Sequence, residues 1–271
     1  MSLLTAVPGK LTRRIRRGRD ALRVWRLSAR RNLWPCRDRK YLVVGCESSG
    51  TTPISHLLFR GQPGRFLIEG DERWVWDVYQ CVYQGHRRVQ DYPRLQLYES
   101  LKVPGFAAIL PQFVEAFPNT HTIYVVRDPR DVAVSAYRTW KAAGPAQLAQ
   151  IPWVKQTWLG IAETDPVARL AQRWRIYLER SQLVPGVTYV RYEDFCADKV
   201  DFITRLAVSL GRRADDQALQ HRCDQQASTA DTRAYRPAGP GSWRETDCLS
   251  AEDLRRIEEI CHVHMRRWNY L

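Results

Sequence analysis

The chain has 271 residues, of which 44% are hydrophobic and 26% are charged. These ordinary values exclude a disordered or fibrous protein and predict one globular domain with a substantial core. The sequence has no run of 18 apolar residues, and arginines interrupt its N-terminal region, so we expect neither a membrane-spanning helix nor a signal peptide and favour a cytoplasmic protein. The seven cysteines form no CxxC pair, which argues against a zinc site or a redox motif.

The net charge of +13 is concentrated near the N-terminus. Residues 10–40 contain thirteen Lys or Arg residues and only two acidic residues, Asp20 and Asp38. We interpret residues 1–39 as a basic amphipathic arm and residues 40–271 as a single domain. The arm could lie on an anionic membrane surface, pack its apolar stripe against the domain, or attract a polyanionic substrate. The sequence leaves these three alternatives open.

Three predicted strands are each followed by a predicted helix. Residues 41–45 precede a helix that runs through Phe59, residues 122–126 precede a helix at 131–140, and residues 187–192 precede a helix at 199–210 that Gly211 ends. Further helices are predicted at 105–117, at 167–183 and from Ser250, which begins a capping signature. This alternation predicts an α/β fold, in which a mainly parallel sheet is flanked by helices and ligands bind at the carboxyl ends of the strands.

The loop after the first strand has the spacing of a phosphate-binding loop. Residues 45–52 read Gly-Cys-Glu-Ser-Ser-Gly-Thr-Thr, with threonine where an ATPase or kinase has lysine. Backbone N–H groups and the positive end of the next helix can enclose a phosphate there. The predicted binding residues are Ser48, Ser49, Gly50, Thr51 and Thr52. An ordinary turn rich in small residues is the alternative.

A second anion site is predicted after the strand at 122–126. Arg127 lies just beyond that strand, and Ser135 lies eight residues later, two turns into the next helix. The two side chains can bind one phosphate together. A nucleotide that carries phosphates at both ends needs two such sites.

In these two motifs the chain resembles the sulfotransferases that use 3′-phosphoadenosine-5′-phosphosulfate (PAPS). Their 5′-phosphosulfate loop is similar to residues 48–52, and their 3′-phosphate motif is an arginine followed eight residues later by a serine. The resemblance runs from about residue 40 to the C-terminus. It implies a P-loop NTPase-like sulfotransferase fold, PAPS as the donor, 3′-phosphoadenosine-5′-phosphate (PAP) as the product, and no required metal.

The resemblance also implies two further contacts with the nucleotide. Tyr192 matches an aromatic residue on a family strand near the adenine, although it could equally belong to the core. Residues 236–244 resemble a late basic, glycine-rich loop that closes over the 3′-phosphate. The residues of that loop assigned to the nucleotide are Arg236, Gly241, Ser242, Trp243 and Arg244. A plain surface loop is the alternative.

The catalytic base is expected in the acidic segment at residues 69–73. This segment is similar to Gly-Glu-Glu-Thr-Arg of the tyrosylprotein sulfotransferases, which ranks Glu72 first as the base and Glu69 second. A solvated acidic turn is the alternative. The family has Lys or Arg where this chain has Ser48, so we assign the missing positive charge to Lys102, with Arg73 in reserve. Because of this departure, the sequence also leaves open the alternative that the protein is a relative of these enzymes that binds the nucleotide without catalysing transfer.

Aromatic residues are the candidates for an acceptor cleft, although they could instead form core. They are Trp74, Trp76, Tyr79, Tyr83, Trp140, Trp153 and Trp158. We expect a carbohydrate or glycolipid hydroxyl as the acceptor, then a tyrosine, small phenol or alcohol, with residues 141–165 as a lid. A P-loop kinase with Asp128 as a magnesium ligand is a competing class. The chain has no nucleic-acid recognition motif, so no specific nucleic-acid partner is expected.

Overall fold

The computed structural model describes residues 40–59, 65–69, 74–139, 145–150, 154, 158–212, 219–220, 223 and 239–271. The basic arm of residues 1–39 and residues 141–144, 151–153 and 155–157 of the predicted lid lie outside these ranges. No helix within them is both long enough and apolar enough to cross a membrane.

Five parallel strands form the sheet in the described part of the chain. They are β1 Lys40–Gly45, β2 Phe66–Ile68, β3 Ser100–Lys102, β4 Thr120–Val126 and β5 Thr188–Arg191, in the order β2-β3-β1-β4-β5. All pairings are parallel, which confirms the predicted α/β fold. The sequence did not indicate β2 and β3, because three residues are too few to show a periodic pattern.

The helices whose bounds lie within the described ranges are α1 Thr51–Phe59, α2 Trp74–Tyr83, α3 Leu110–Ala116, α4 Pro129–Thr139, α5 Pro145–Leu148, α6 Pro166–Gln182, α7 Tyr192–Ala197, α8 Lys199–Ser209 and α9 Ala251–Arg267. Short 3₁₀ helices occupy Val89–Asp91, Pro93–Leu97, Pro104–Ile109 and Ser242–Glu245. The predicted capping box before α9 is confirmed, since Ser250 and Asp253 exchange hydrogen bonds between side chain and backbone.

Two sequence boundaries were wrong. The predicted helix at 105–117 is a 3₁₀ helix that passes into α3 at Leu110, because Pro111 has no N–H to donate and tolerates only the first turn of a helix. The third predicted strand ends at Arg191, so Tyr192 begins α7 instead of ending a strand.

Both faces of the sheet are covered by apolar side chains. Along β1, Leu42 and Val44 belong to one core cluster, whereas Tyr41 and Val43 belong to the other, as the two-residue period of a strand requires. A sheet covered on both faces leaves only its ends open to a ligand. The carboxyl ends of β1 to β4 therefore meet at one edge, where the functional motifs follow them.

Candidate active site

The loop between β1 and α1 is closed by Ser49. The Ser49 hydroxyl donates to the carbonyl of Cys46 at 2.6 Å, and the Ser49 N–H donates to the same carbonyl at 3.1 Å. Ser48 adopts a left-handed φ of 68°, a conformation that non-glycine residues adopt mainly at turns and functional sites. Both donors of Ser49 bond to this carbonyl, so the residue shapes the loop, and its direct contact with the nucleotide stays a prediction. The loop leads into the N-terminus of α1, where a phosphate is favoured.

Tyr192 lies between the two predicted phosphate sites. A Cβ atom on Gly50 would overlap the Tyr192 ring, and Gly50 has a φ of 92°. The guanidinium carbon of Arg127 lies 4.5 Å from the centroid of the same ring. Tyr192 is also buried in a core cluster. It therefore belongs to the core, as one alternative had it, and at the same time packs against the predicted phosphate ligand Arg127. Its contact with adenine stays a prediction.

Arg127 joins the two phosphate motifs. Its side chain is fully buried, and its Nη1 donates to the carbonyl of Ser48 at 3.0 Å. Its Nη2 donates to the carbonyl of Gly239 at 3.4 Å, so the late loop meets the same guanidinium. Ser135 is buried on α4, which begins two residues after Arg127. The two predicted phosphate sites are therefore neighbours at the carboxyl ends of the adjacent strands β1 and β4.

The late loop is fastened to α4 by Asp131, a residue whose role the sequence did not reveal. The buried Asp131 carboxylate accepts the N–H of Gly241 at 2.7 Å, the hydroxyl of Ser242 at 2.9 Å and the N–H of Trp243 at 3.1 Å. These donors hold the loop in place, and direct nucleotide contact by these three residues stays a prediction. Arg244 packs 4.3 Å from the Trp243 ring centroid. Arg236 lies outside the described residues.

Glu69 and Lys102 lie together beside the phosphate loop. Glu69 directly follows β2, and Ile68 pairs with Lys102 in the parallel register of β2 and β3. Burial raises the pKa of Glu69 to about 7, and the charge of Glu47 adds to this rise, whereas Lys102 and a hydrogen bond from Tyr79 oppose it. A buried carboxyl whose pKa is near 7 suits a general base.

The described residues do not include Glu72 or Arg73. The structure therefore places Glu69, ranked second as the base, next to Lys102, and it leaves the first-ranked Glu72 as a prediction.

A buried ion pair between Glu47 and Arg173 connects the phosphate loop to α6. Arg173 on α6 donates to Glu47 at 3.2 Å, and the Tyr177 hydroxyl donates to the same oxygen at 3.3 Å. Arg173 is 1% exposed and Glu47 is 9% exposed. The pair neutralises an acidic side chain in a loop built to bind an anion. No local pattern indicates this pair, since the two residues are 126 positions apart.

Asp128, the metal ligand of the kinase alternative, is bound to an arginine. Arg130 donates to both carboxylate oxygens of Asp128, at 3.0 Å and 2.7 Å, and also to Glu258 at 2.7 Å. Within the described ranges, no group of three metal-ligating side chains occurs. Asp128 therefore organises the turn after β4, and the kinase alternative loses its specific ligand.

Most of the described aromatic candidates contribute to packing. Tyr79 is 1% exposed, and its ring centroid lies 5.2 Å from that of Trp158. Tyr83 packs edge-on against Trp158. Trp74 and Trp76 are half-buried against the core, and Trp140 and Trp153 lie outside the described residues. Tyr79 and Trp158 therefore belong to the core. Trp74 and Trp76 are partly exposed, and they follow Glu69 by five and seven residues in the sequence.

Solved sulfotransferase structures share this fold. The mouse sulfotransferase SULT7A1, crystallised in complex with PAP, is 15% identical, covers 86% of each chain and superposes with a TM-score of 0.55. The sulfotransferase STF9 from Mycobacterium avium is 14% identical, covers 85% of this chain and 77% of its own, and gives a TM-score of 0.52. At such identities the likeness shows the fold.

Sequence comparison identifies the family. A search of curated protein sequences found no significant match. The sequence model of the Sulfotransferase family matches residues 60–216, which is more than half of the 271 residues. The matched region contains Glu69, Lys102, Arg127 and Ser135, and it begins after the phosphate loop. The chain therefore belongs to the Sulfotransferase family.

Proposed function

We propose that the protein transfers the sulfuryl group of PAPS to an acceptor hydroxyl and releases PAP. The observation that carries this proposal is the 3.0 Å hydrogen bond from Arg127 to the carbonyl of Ser48. It makes the two predicted phosphate sites neighbours, so that one adenosine with phosphates at both ends can bridge them. Membership of the Sulfotransferase family and the PAP complex of mouse SULT7A1 support the choice of nucleotide.

In this proposal the backbone of the loop at residues 48–50 and the hydroxyls of Thr51 and Thr52 hold the 5′-phosphosulfate. The N-terminus of α1 adds the favourable end of its dipole. Arg127 and Ser135 hold the 3′-phosphate, and Tyr192 lies near the adenine. The late loop, with Arg236 and Arg244, closes the 3′-phosphate site.

The transfer itself requires in-line attack, proton removal and stabilisation of the leaving group. The acceptor oxygen forms a bond to sulfur while the bond between sulfur and the 5′-phosphate oxygen breaks, and PAP leaves with that electron pair. Glu69 takes the acceptor proton, because its carboxyl combines burial with a pKa of about 7. Lys102 supplies the positive charge that the family places at the position of Ser48. Glu72 stays the other candidate for the base.

We propose a carbohydrate or glycolipid hydroxyl as the acceptor, with a tyrosine, small phenol or alcohol as the second choice. The half-buried rings of Trp74 and Trp76 support this choice, because aromatic faces suit sugar rings. Arg94 lies 5.4 Å from the Trp74 ring centroid and brings a positive charge to this surface.

We also propose that the basic residues 10–40 hold the protein at the cytoplasmic face of an anionic membrane. Salt-dependent binding to phosphatidylserine vesicles tests this proposal.

Nucleotide titration with a thermal-stability readout tests the proposed function. PAP at about 100 times its Kd should stabilise the fold by about 2.7 kcal/mol, and AMP or ATP at the same concentration should stabilise it less. No stabilisation by PAP, or a larger and magnesium-dependent effect of ATP, would contradict the proposal. Transfer of ³⁵S from labelled PAPS to a panel of sugars, glycolipids, tyrosine peptides and phenols then identifies the acceptor class.

A further inference from the structure

The turn that carries Arg127 is held by a closed ring of hydrogen bonds. The N–H of Asp128 donates to Glu193 Oε1 at 3.1 Å, and the hydroxyl of Tyr270 donates to Glu193 Oε2 at 2.9 Å. Arg130 Nη2 donates to the backbone carbonyl of Tyr270 at 2.8 Å and to the Asp128 carboxylate at 2.7 Å. Four residues from three distant parts of the chain therefore fix one another.

This ring lies directly against the predicted 3′-phosphate site. Asp128 follows Arg127 in sequence, and Glu193 follows Tyr192, whose ring contacts both Arg127 and Gly50. Displacement of Glu193 would therefore move the backbone after Arg127 and the aromatic ring of Tyr192, which packs on the Arg127 guanidinium.

Tyr270 connects this ring to the segment that follows α9. Its hydroxyl holds Glu193 and its carbonyl holds Arg130, while the Arg191 guanidinium lies 5.1 Å from its ring centroid. The Asp128 and Arg130 side chains are nearly fully buried, so water cannot readily replace their contact with each other. Glu193 Oε2 also faces Arg191 Nε at 3.8 Å, a longer contact than the one with Tyr270. Tyr270 has no contact with the loop at residues 48–50 among the hydrogen bonds of the described residues.

We propose that Tyr270 is a positioning residue for the 3′-phosphate, which acts by fixing Glu193 and thereby the backbone beside Arg127. This inference rests on the proposed function, because it takes Arg127 as the ligand of that phosphate. A guanidinium binds phosphate through two directed hydrogen bonds, so a small shift of its backbone lowers affinity. The 5′-phosphate loop has its own closure through Ser49, so we expect it to shift less than the backbone beside Arg127.

The test is the effect of Tyr270→Phe on two nucleotides, measured by titration calorimetry with the full chain. This change removes one hydroxyl and keeps the ring. We expect the Kd for PAP to rise about tenfold, the effect of losing one hydrogen bond to a charged group. The Kd for AMP, which lacks the 3′-phosphate, should rise less than the Kd for PAP, so that the preference for PAP over AMP falls. A general structural defect would weaken both nucleotides equally.

Tyr189→Phe is the matched control. The Tyr189 hydroxyl hydrogen-bonds to Ser181 at 3.1 Å, and the centroid of its aromatic ring lies 5.5 Å from that of Trp268. Tyr189→Phe therefore also loses one hydroxyl hydrogen bond, but outside the network of Asp128, Arg130, Glu193 and Tyr270. We expect its Kd values for PAP and AMP to match those of the wild type.

The outcomes separate this inference from the proposed function. Wild-type protein that binds PAP no better than AMP contradicts the proposed function and, with it, the inference. Wild-type protein that prefers PAP, together with a Tyr270→Phe variant that keeps the same preference, overturns the inference alone. If Tyr270→Phe does not fold, Glu193→Met decides, because its side chain has no oxygen to accept from Asp128 or Tyr270 and should cause the same selective loss.

Discussion

The guanidinium of Arg127 donates to the backbone carbonyl of Ser48 at 3.0 Å, which connects the residue after β4 to the loop after β1. Both ends of the proposed nucleotide site therefore share one buried side chain. This contact explains why we expect Arg127 to affect the shape of the phosphate loop as well as the 3′-phosphate.

Arg127→Lys should raise the Kd for PAP at least about tenfold, because lysine keeps the charge but cannot reproduce the planar fork of donors. Titration calorimetry measures the change. Arg255→Lys is the control, since Arg255 is exposed on α9 and its ion pairs in the described part of the chain are with Glu252 and Glu259 of the same helix. An unchanged Kd for Arg127→Lys would remove Arg127 from the nucleotide site.

The activity should rise with pH through about 7, because Glu69 has to be deprotonated to accept a proton and its pKa lies there. Glu69→Gln should lower kcat by about 10²- to 10⁴-fold and leave the Kd for PAP unchanged. Steady-state kinetics from about pH 5.5 to about pH 8.5, a range of about three units around that pKa, measures both effects. If Glu72→Gln removes the activity and Glu69→Gln does not, Glu72 is the base.

The same pKa has a consequence for stability. Burial raises the pKa of Glu69 from 4.5 to about 7 on folding, so the contribution of its protonated form is present below pH 4.5 and is lost as the pH rises through 7. Glu69→Gln should therefore unfold at a higher urea concentration than the wild type at pH 8 and show no such advantage at pH 4.5.

Lys102→Met should lower kcat by about 10²-fold, the typical cost of losing one group that stabilises developing charge. It should also move the rise in activity to higher pH, because the charge of Lys102 lowers the pKa of Glu69. Lys199→Met, on the exposed start of α8, is the control for a lost lysine. Full turnover by Lys102→Met at saturating PAPS would exclude Lys102 from the reaction.

Gly50→Ala should disturb both phosphate sites, because the new methyl group would overlap the ring of Tyr192 at a backbone φ of 92°. The expected results are a lower midpoint of urea unfolding and weaker PAP binding. Gly160→Ala is a close control, since Gly160 has a φ of 72° and no atom within 4 Å of the added carbon. Gly160→Ala should show only the backbone strain, about 1 kcal/mol, and normal PAP binding.

Arg173→Met should destabilise the fold by about 3–5 kcal/mol, because it leaves the carboxylate of Glu47 buried without its cationic partner. The double variant Glu47→Gln/Arg173→Met should be more stable than Arg173→Met, since no uncompensated charge then stays in the core. Urea unfolding measures the three free energies. If the double variant is less stable than the single one, Glu47 and Arg173 do not act as an ion pair.

The elements that the sequence predicted best are those with long, regular patterns. β1 and β4 are continuous apolar runs, and α6, α8 and α9 carry a helical period, a cap or a terminating glycine. The short strands β2 and β3 were missed because they contain three residues each. Tyr192 was assigned to a strand because the residues before it alternate, whereas Arg191 is the N-cap residue before α7.

The candidate site was predicted in part. The spacing of the loop at 48–52 and the eight-residue interval from Arg127 to Ser135 are local properties, so the chain order reveals them. The partners that complete the site are distant in sequence, as for Glu47 with Arg173 or Asp131 with Gly241. No local pattern indicates such pairs, because their contact exists only after the sheet has formed.

The sequence by itself determined the α/β architecture and the two anion-binding motifs, since strand and helix periods and turn chemistry act over a few residues. Only the tertiary structure brought Arg127 to Ser48, placed Glu69 beside Lys102 and joined Tyr270 to Glu193. The reason is that parallel strands gather their carboxyl ends at one edge whatever the separation of those strands along the chain. Burial at that edge then sets the charge and proton affinity of the side chains that meet there.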